Sequence, residues 1–113
     1  MASTTEATET TAEEPATDVC SVVEAVERIG AKWRLIVLHD LAAGGERRFN
    51  ELKRSTDASS RTLSRVLDDL EADGLVNRRV EERPIATYYS LTEKGAALGP
   101  VFEELEAWAD AWL

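Results

Sequence analysis

The spacing of apolar positions changes along the chain, and each change predicts an element. Val19, Val22, Val23, Val26 and Ile29 fall on one stripe of a helix that turns by about 100° per residue. Asp18 can cap it, its carboxylate accepting from the free amides that follow, and Gly30 ends it. A second helix is predicted over 31–43, with Trp33, Ile36, Val37 and Leu41 on one face and Gly44-Gly45 as the stop. A short third helix fits 48–55, with Phe49 and Leu52 inward. Ser59 caps a fourth, spanning about 59–73, whose buried stripe is Leu63, Val66, Leu67 and Leu70, and Gly74 terminates it. Arg61 and Arg65 occupy its first two turns and point nearly opposite that stripe.

Beyond Gly74 the residues turn to Val, Thr and Tyr, and 75–82 and 86–91 read as extended segments. The Arg83-Pro84 tip between them makes a hairpin, with a wing over about 79–87. A last helix starts near Thr92. Its Leu98, Val101, Leu105, Trp108 and Trp112 are spaced alternately three and four apart, the seam of a helix that packs on another helix. Gly99-Pro100 should kink or interrupt it. Residues 1–17 are rich in Thr, Glu and Ala without aromatics or periodicity, so an acidic disordered tail is expected there. That leaves 18–113 as one domain.

Helices, then a hairpin, then a helix is the layout of a mainly α fold with a small β-hairpin, the winged helix-turn-helix. In it the helix after Ser59 enters the major groove N-terminus first, where free amides and the helix dipole favour phosphate. Net charge at first argues against such a partner: 13 Lys+Arg against 22 Asp+Glu gives −9, and phosphate repels an acidic surface. Its distribution reverses the argument. Five acids lie in 1–18 and four in 100–113, both without a base. Residues 47–66 instead hold six bases (Arg47, Arg48, Lys53, Arg54, Arg61, Arg65) and two acids, a +4 island.

Ten of the 13 bases are Arg. Abundant acid with scarce Lys suggests a salt-filled cytoplasm, as in a halophilic archaeon; the alternative is an ordinary acidic protein with a disordered tail. In molar salt, six phosphate contacts would impose a logarithmic salt slope of about −5. Cation-bridged or base-reading contacts are therefore expected. No stretch approaches the ~20 apolar residues of a membrane span, and the N-terminus has no secretory signal pattern, so a soluble, cytoplasmic protein is expected. A single Cys excludes an internal disulfide, and one Cys with one His falls short of a four-ligand zinc site. Phosphate-loop, nucleophile-elbow and metal-ligand motifs are missing. Neither catalysis nor a cofactor is expected.

Together the residues resemble a family. Cys20, Ile29-Gly30, Lys32-Trp33, Arg48-Phe49-Asn50-Glu51-Leu52, Ser59, Arg61-Thr62-Leu63-Ser64, Leu67, Leu70-Glu71, Gly74-Leu75-Val76 and Arg78 carry the first part of the pattern. Tyr89-Ser90-Leu91-Thr92, Gly95, Leu98, Val101, Trp108 and Trp112 complete it. From Cys20 to Leu113 the chain is similar to the HxlR-type winged helix-turn-helix transcription regulators, relatives of the MarR-type repressors.

The resemblance implies a homodimer formed by the first and last helices through Val22, Leu98, Val101, Leu105, Trp108 and Trp112. It also implies that each protomer offers one recognition helix to a pseudo-palindromic double-stranded DNA site. The alternative for the two tryptophans is that they cap the domain's own core. Expected DNA contacts are Arg48, Lys53, Ser59, Ser60, Arg61, Thr62, Ser64 and Arg65, with Arg78, Arg79 and Arg83 in the wing. Two departures stand out: Ser60 where the family often has Pro, and Ile85, Ala86, Thr87 and Tyr88 where its wing often carries Arg.

Some regulators of this type sense oxidants or electrophiles through a cysteine at the position of Cys20. That makes it a candidate redox sensor for an oxidant or small-molecule effector, against the alternative of a small buried apolar residue. His39, without a companion ligand, reads as a surface or core-edge histidine. The competing function is a winged helix that binds protein without reading DNA.

Overall fold

A computed structural model describes residues 20–113, which divide into two compact units after Gly30. The tail at 1–17, Asp18 and Val19 lie outside the described residues. The smaller unit contains α1 (Ser21–Ile29), which starts later than the sequence predicted, with Cys20 at its N-cap. Val22, Val23 and Val26 are exposed, and no residue of α1 is buried.

The larger unit carries α2 (Lys32–Gly44), β1 (Arg47–Arg48), α3 (Phe49–Thr56), α4 (Ser60–Ala72), β2 (Val76–Glu82), β3 (Ile85–Leu91), α5 (Glu93–Ala96) and α6 (Gly99–Trp112). Its core draws on nearly every element: Val37, Leu38 and Leu41 from α2, Leu52 from α3, Leu63, Val66, Leu67 and Leu70 from α4, Val76 from β2, Ala86 and Tyr89 from β3, and Phe102 from α6. The predicted stripe of α4 is buried in full. In α2 the core side is Val37, Leu38 and Leu41, whereas Trp33 and Ile36 are only half-buried. That helix is apolar on most sides, so its period could not choose a face.

The strands form one antiparallel sheet in the order β1-β3-β2. The hairpin pairs Val76 with Leu91 at its base and Glu82 with Ile85 at the tip, leaving Arg83-Pro84 as its loop. β1 adds Arg47 opposite Tyr89 and Arg48 opposite Tyr88. A two-residue strand is too short to show alternation, which is why the sequence reading missed it.

Gly74, at φ +75°, turns the chain from α4 into β2 in a left-handed conformation that favours glycine. Gly95 serves packing: a Cβ there would collide with the Leu75 carbonyl. The expected long last helix is divided into α5 and α6 around Gly99-Pro100, with the Thr92 side chain capping α5 by accepting from the Gly95 N–H. Phe102, omitted from the predicted seam, is the buried residue of α6, whereas Val101, Leu105, Trp108 and Trp112 are exposed and Leu98 is half-buried. Among the described residues, no helix is long and apolar enough to cross a membrane.

Candidate nucleic-acid interface

The connection between α3 and α4 is built from three short polar residues. The buried Thr56 donates its hydroxyl to the Leu52 carbonyl at 2.7 Å and accepts the Ala58 N–H at 3.4 Å, so its own buried oxygen is satisfied at the end of α3. Asp57 follows at φ 63°, a left-handed C-cap, and its N–H bonds the Lys53 carbonyl. Ser59 then opens α4: its Oγ accepts the Thr62 N–H at 3.1 Å and donates to Thr62 Oγ1 at 3.0 Å. α3 thus runs one residue beyond the predicted 48–55, to Thr56.

These bonds divide the predicted contacts of α4 into two groups. The Ser59 and Thr62 hydroxyls are engaged with each other. Ser60, Arg61, Ser64 and Arg65 are exposed, with Arg61 and Arg65 opposite the buried stripe and the two serines flanking it. The first turn carries no acid, so no carboxylate within it offsets the partial positive charge of the helix start. Of the later acids, Asp69 and Asp73 bind Arg34 of α2 at 3.3 and 3.8 Å. They tie the end of α4 to α2. Lys53 is exposed on α3, and the exposed Arg48 precedes that helix, its backbone N–H donating to Glu51 Oε1 at 2.8 Å.

In the wing, the three arginines differ. Arg79 lies opposite Tyr88, with its guanidinium 4.4 Å from that ring's centroid. It also donates twice to Glu46, at 3.1 and 3.2 Å, and once to Glu81 at 2.7 Å. These bonds raise its pKa still further above the ordinary arginine value, the bonds to Glu46 and then Glu81 contributing most. Arg79 therefore anchors the base of the wing to the segment before β1. Arg78 lies opposite Tyr89 in the hairpin, and Arg83 is exposed at the tip.

The whole arrangement is a helix-turn-helix followed by a two-stranded wing, and a model of the HxlR-like helix-turn-helix family matches residues 28–113. The chain belongs to that family. An HTH-type transcriptional regulator of Methanothermobacter thermautotrophicus is 42% identical over 92 residues, covering 80% of this chain and 70% of that protein. YodB of Bacillus subtilis is 38% identical over 95 residues, covering 81% of this chain and 84% of YodB. Reduced YodB superposes with a TM-score of 0.73 at 35% identity, over 83% of this chain and 94% of that one. YodB has also been solved diamide-treated and quinone-bound. A MarR-family regulator from Porphyromonas gingivalis W83 superposes at a TM-score of 0.77, with 25% identity over 89% of this chain and all of that one. Family and relatives are transcriptional regulators, not enzymes.

Three features of this HxlR-like chain escaped the sequence reading. Arg47 belongs to the basic island, yet its Nε is buried, 3.7 Å from the Asp40 carboxylate and without a hydrogen bond. Asp40 itself accepts from Ser55 Oγ at 2.6 Å. His39 faces Glu106 of α6 at 2.8 Å, with its ring edge-on to Phe102 at 5.5 Å. Arg47 meets Asp40 across the turn between α2 and β1, whereas the other two contacts join separate helices, and no helical or strand period signals any of them. Cys20 is exposed at the N-cap of α1.

Proposed function

We propose that this regulator binds a pseudo-palindromic double-stranded DNA site as a homodimer, each protomer placing the start of α4 in the major groove. The exposed Arg61–Arg65 face at an acid-free helix start is the observation that carries the reading. Arg61 and Arg65 can reach base edges, while Ser60 and Ser64 bond phosphate; the first free amides of α4 add backbone donors. Ser59 and Thr62 contribute by fixing that helix start. Arg48 and Lys53 fit the flanking backbone, as do Arg78 and Arg83 from the wing, while Arg79 braces it. The apolar faces of α1 and α6, with Val22, Leu98, Val101, Leu105, Trp108 and Trp112, support the dimer. Such a face on a small domain calls for a partner.

Sequencing the duplexes that the full chain selects from a randomised pool would define its site. Arg61→Ala and Arg65→Ala should each lose about 1–3 kcal/mol of discrimination against the wrong base while the circular dichroism spectrum stays native. If both variants keep the wild-type sequence preference, the reading fails.

Cys20 supports an oxidant or electrophile response: it is exposed, it sits at a helix N-terminus, and YodB has been solved in diamide-treated and quinone-bound forms. With one cysteine per chain, the product would be an intersubunit disulfide or a mixed adduct. Cys20→Ser should make DNA binding insensitive to diamide. Equal sensitivity in wild type and variant, read by gel shift, would remove Cys20 from the mechanism.

A further inference from the structure

We infer that the cleft between α2, α3 and α6 is a binding site for an amphipathic aromatic cation, an effector site separate from Cys20; the effector role rests on the DNA-binding reading above. The cleft has a volume of about 490 Å³, within the range of small-molecule sites. Ile36, Phe102, Leu105 and Ala109 contribute apolar walls, and Asp40 and Glu106 bring two carboxylates. No Lys or Arg lines it.

Both carboxylates are held in place, Asp40 by the Ser55 hydroxyl at 2.6 Å and Glu106 by His39 at 2.8 Å. Arg47, behind Asp40 at 3.7 Å, offsets part of its charge, whereas Glu106 is engaged by the His39 ring. An apolar floor with fixed negative groups complements a flat hydrophobic body that carries a positive head. An anion of the same shape would meet two carboxylates. The cleft also joins the first helix of the helix-turn-helix to the helix that bears the tryptophan seam. An occupant that fits one α3–α6 spacing better than another would shift the population of DNA-binding geometries.

The test uses the full chain and a matched pair of dyes, cationic rhodamine 6G and anionic fluorescein, followed by fluorescence anisotropy without DNA. Rhodamine 6G should saturate at one per protomer. The double variant Asp40→Asn/Glu106→Gln should bind it at least about tenfold more weakly, a loss of about 1.4 kcal/mol. That variant removes only two of 22 acids, so attraction to the acidic surface at large would barely change. Fluorescein should bind wild type at least about tenfold more weakly than rhodamine 6G, and Ala109→Trp, which fills the cleft, should abolish rhodamine binding. Unchanged rhodamine affinity in the double variant, or equal binding of the two dyes, overturns the site. So does an Ala109→Trp protein that keeps rhodamine affinity but loses self-association, because the cleft would then be covered by a second copy. Gel shifts of the same proteins separate the two readings. A wild type that fails to bind DNA overturns the effector role, whereas the dye measurements decide the cation site by themselves.

Discussion

Ser59 carries two tasks at once. Its hydroxyl caps α4 through the Thr62 N–H and orders the Thr62 side chain, so α4 begins at one fixed residue. Ser59→Ala should lower stability by about 1 kcal/mol, a Tm drop of roughly 4–8 °C for a domain of this size, measured by thermal unfolding. A Tm unchanged within error would show that water replaces the cap. Arg61 and Arg79 make the complementary point. Both are arginines on exposed surface, yet Glu46, Glu81 and Tyr88 engage the second while the first stands on the open face of α4. The cap was readable from Ser59 followed by Arg61-Thr62-Leu63, because capping is local. The different fates of the two arginines were not, because Glu46 reaches Arg79 across a gap of 33 residues.

At the scale of elements, the hairpin and α6 show how far periodicity carries. The hairpin was legible from its Val, Thr and Tyr content and the Arg83-Pro84 tip, and its register now places Tyr89 between Arg47 and Arg78. Burial raises the Tyr89 pKa above its ordinary value of 10.0, and Arg78 only partly opposes this. The native state therefore holds this proton more tightly than the unfolded chain does. The resulting stabilisation is complete below about pH 10 and is lost as pH rises through the raised value. An ultraviolet absorbance titration should show one of the two tyrosines ionising late, and Tyr89→Phe should remove that step. Two tyrosines ionising together near 10 would contradict it. In α6 the heptad-like spacing picked out residues that are exposed in the chain and passed over Phe102, the residue that reaches the core. Such a pattern marks apolar faces without saying which one meets the chain's own interior.

For the whole molecule, the net charge of −9 stops being an argument against DNA once its acids are located. Four lie on α6 or at its start, and Asp69 and Asp73 bind Arg34, while the first turn of α4 carries none. The proposed homodimer is testable at this scale. Wild type should sediment as a dimer at micromolar concentration, and Trp108→Glu/Trp112→Glu should sediment as a monomer, since it puts two charges on the exposed seam. A monomeric wild type would refute the dimer. By itself the sequence determined the succession of helices and hairpin, the stripe of α4 and the family resemblance, because amphipathic periods, caps and turn residues act over one or two helical turns. It did not show β1. Tertiary structure decided the rest. It joined Arg79 to Glu46, His39 to Glu106 and Asp40 to Ser55, turned Arg47 inward and left the seam uncovered. Those outcomes depend on which distant surfaces meet when the core closes, and no local pattern encodes that meeting.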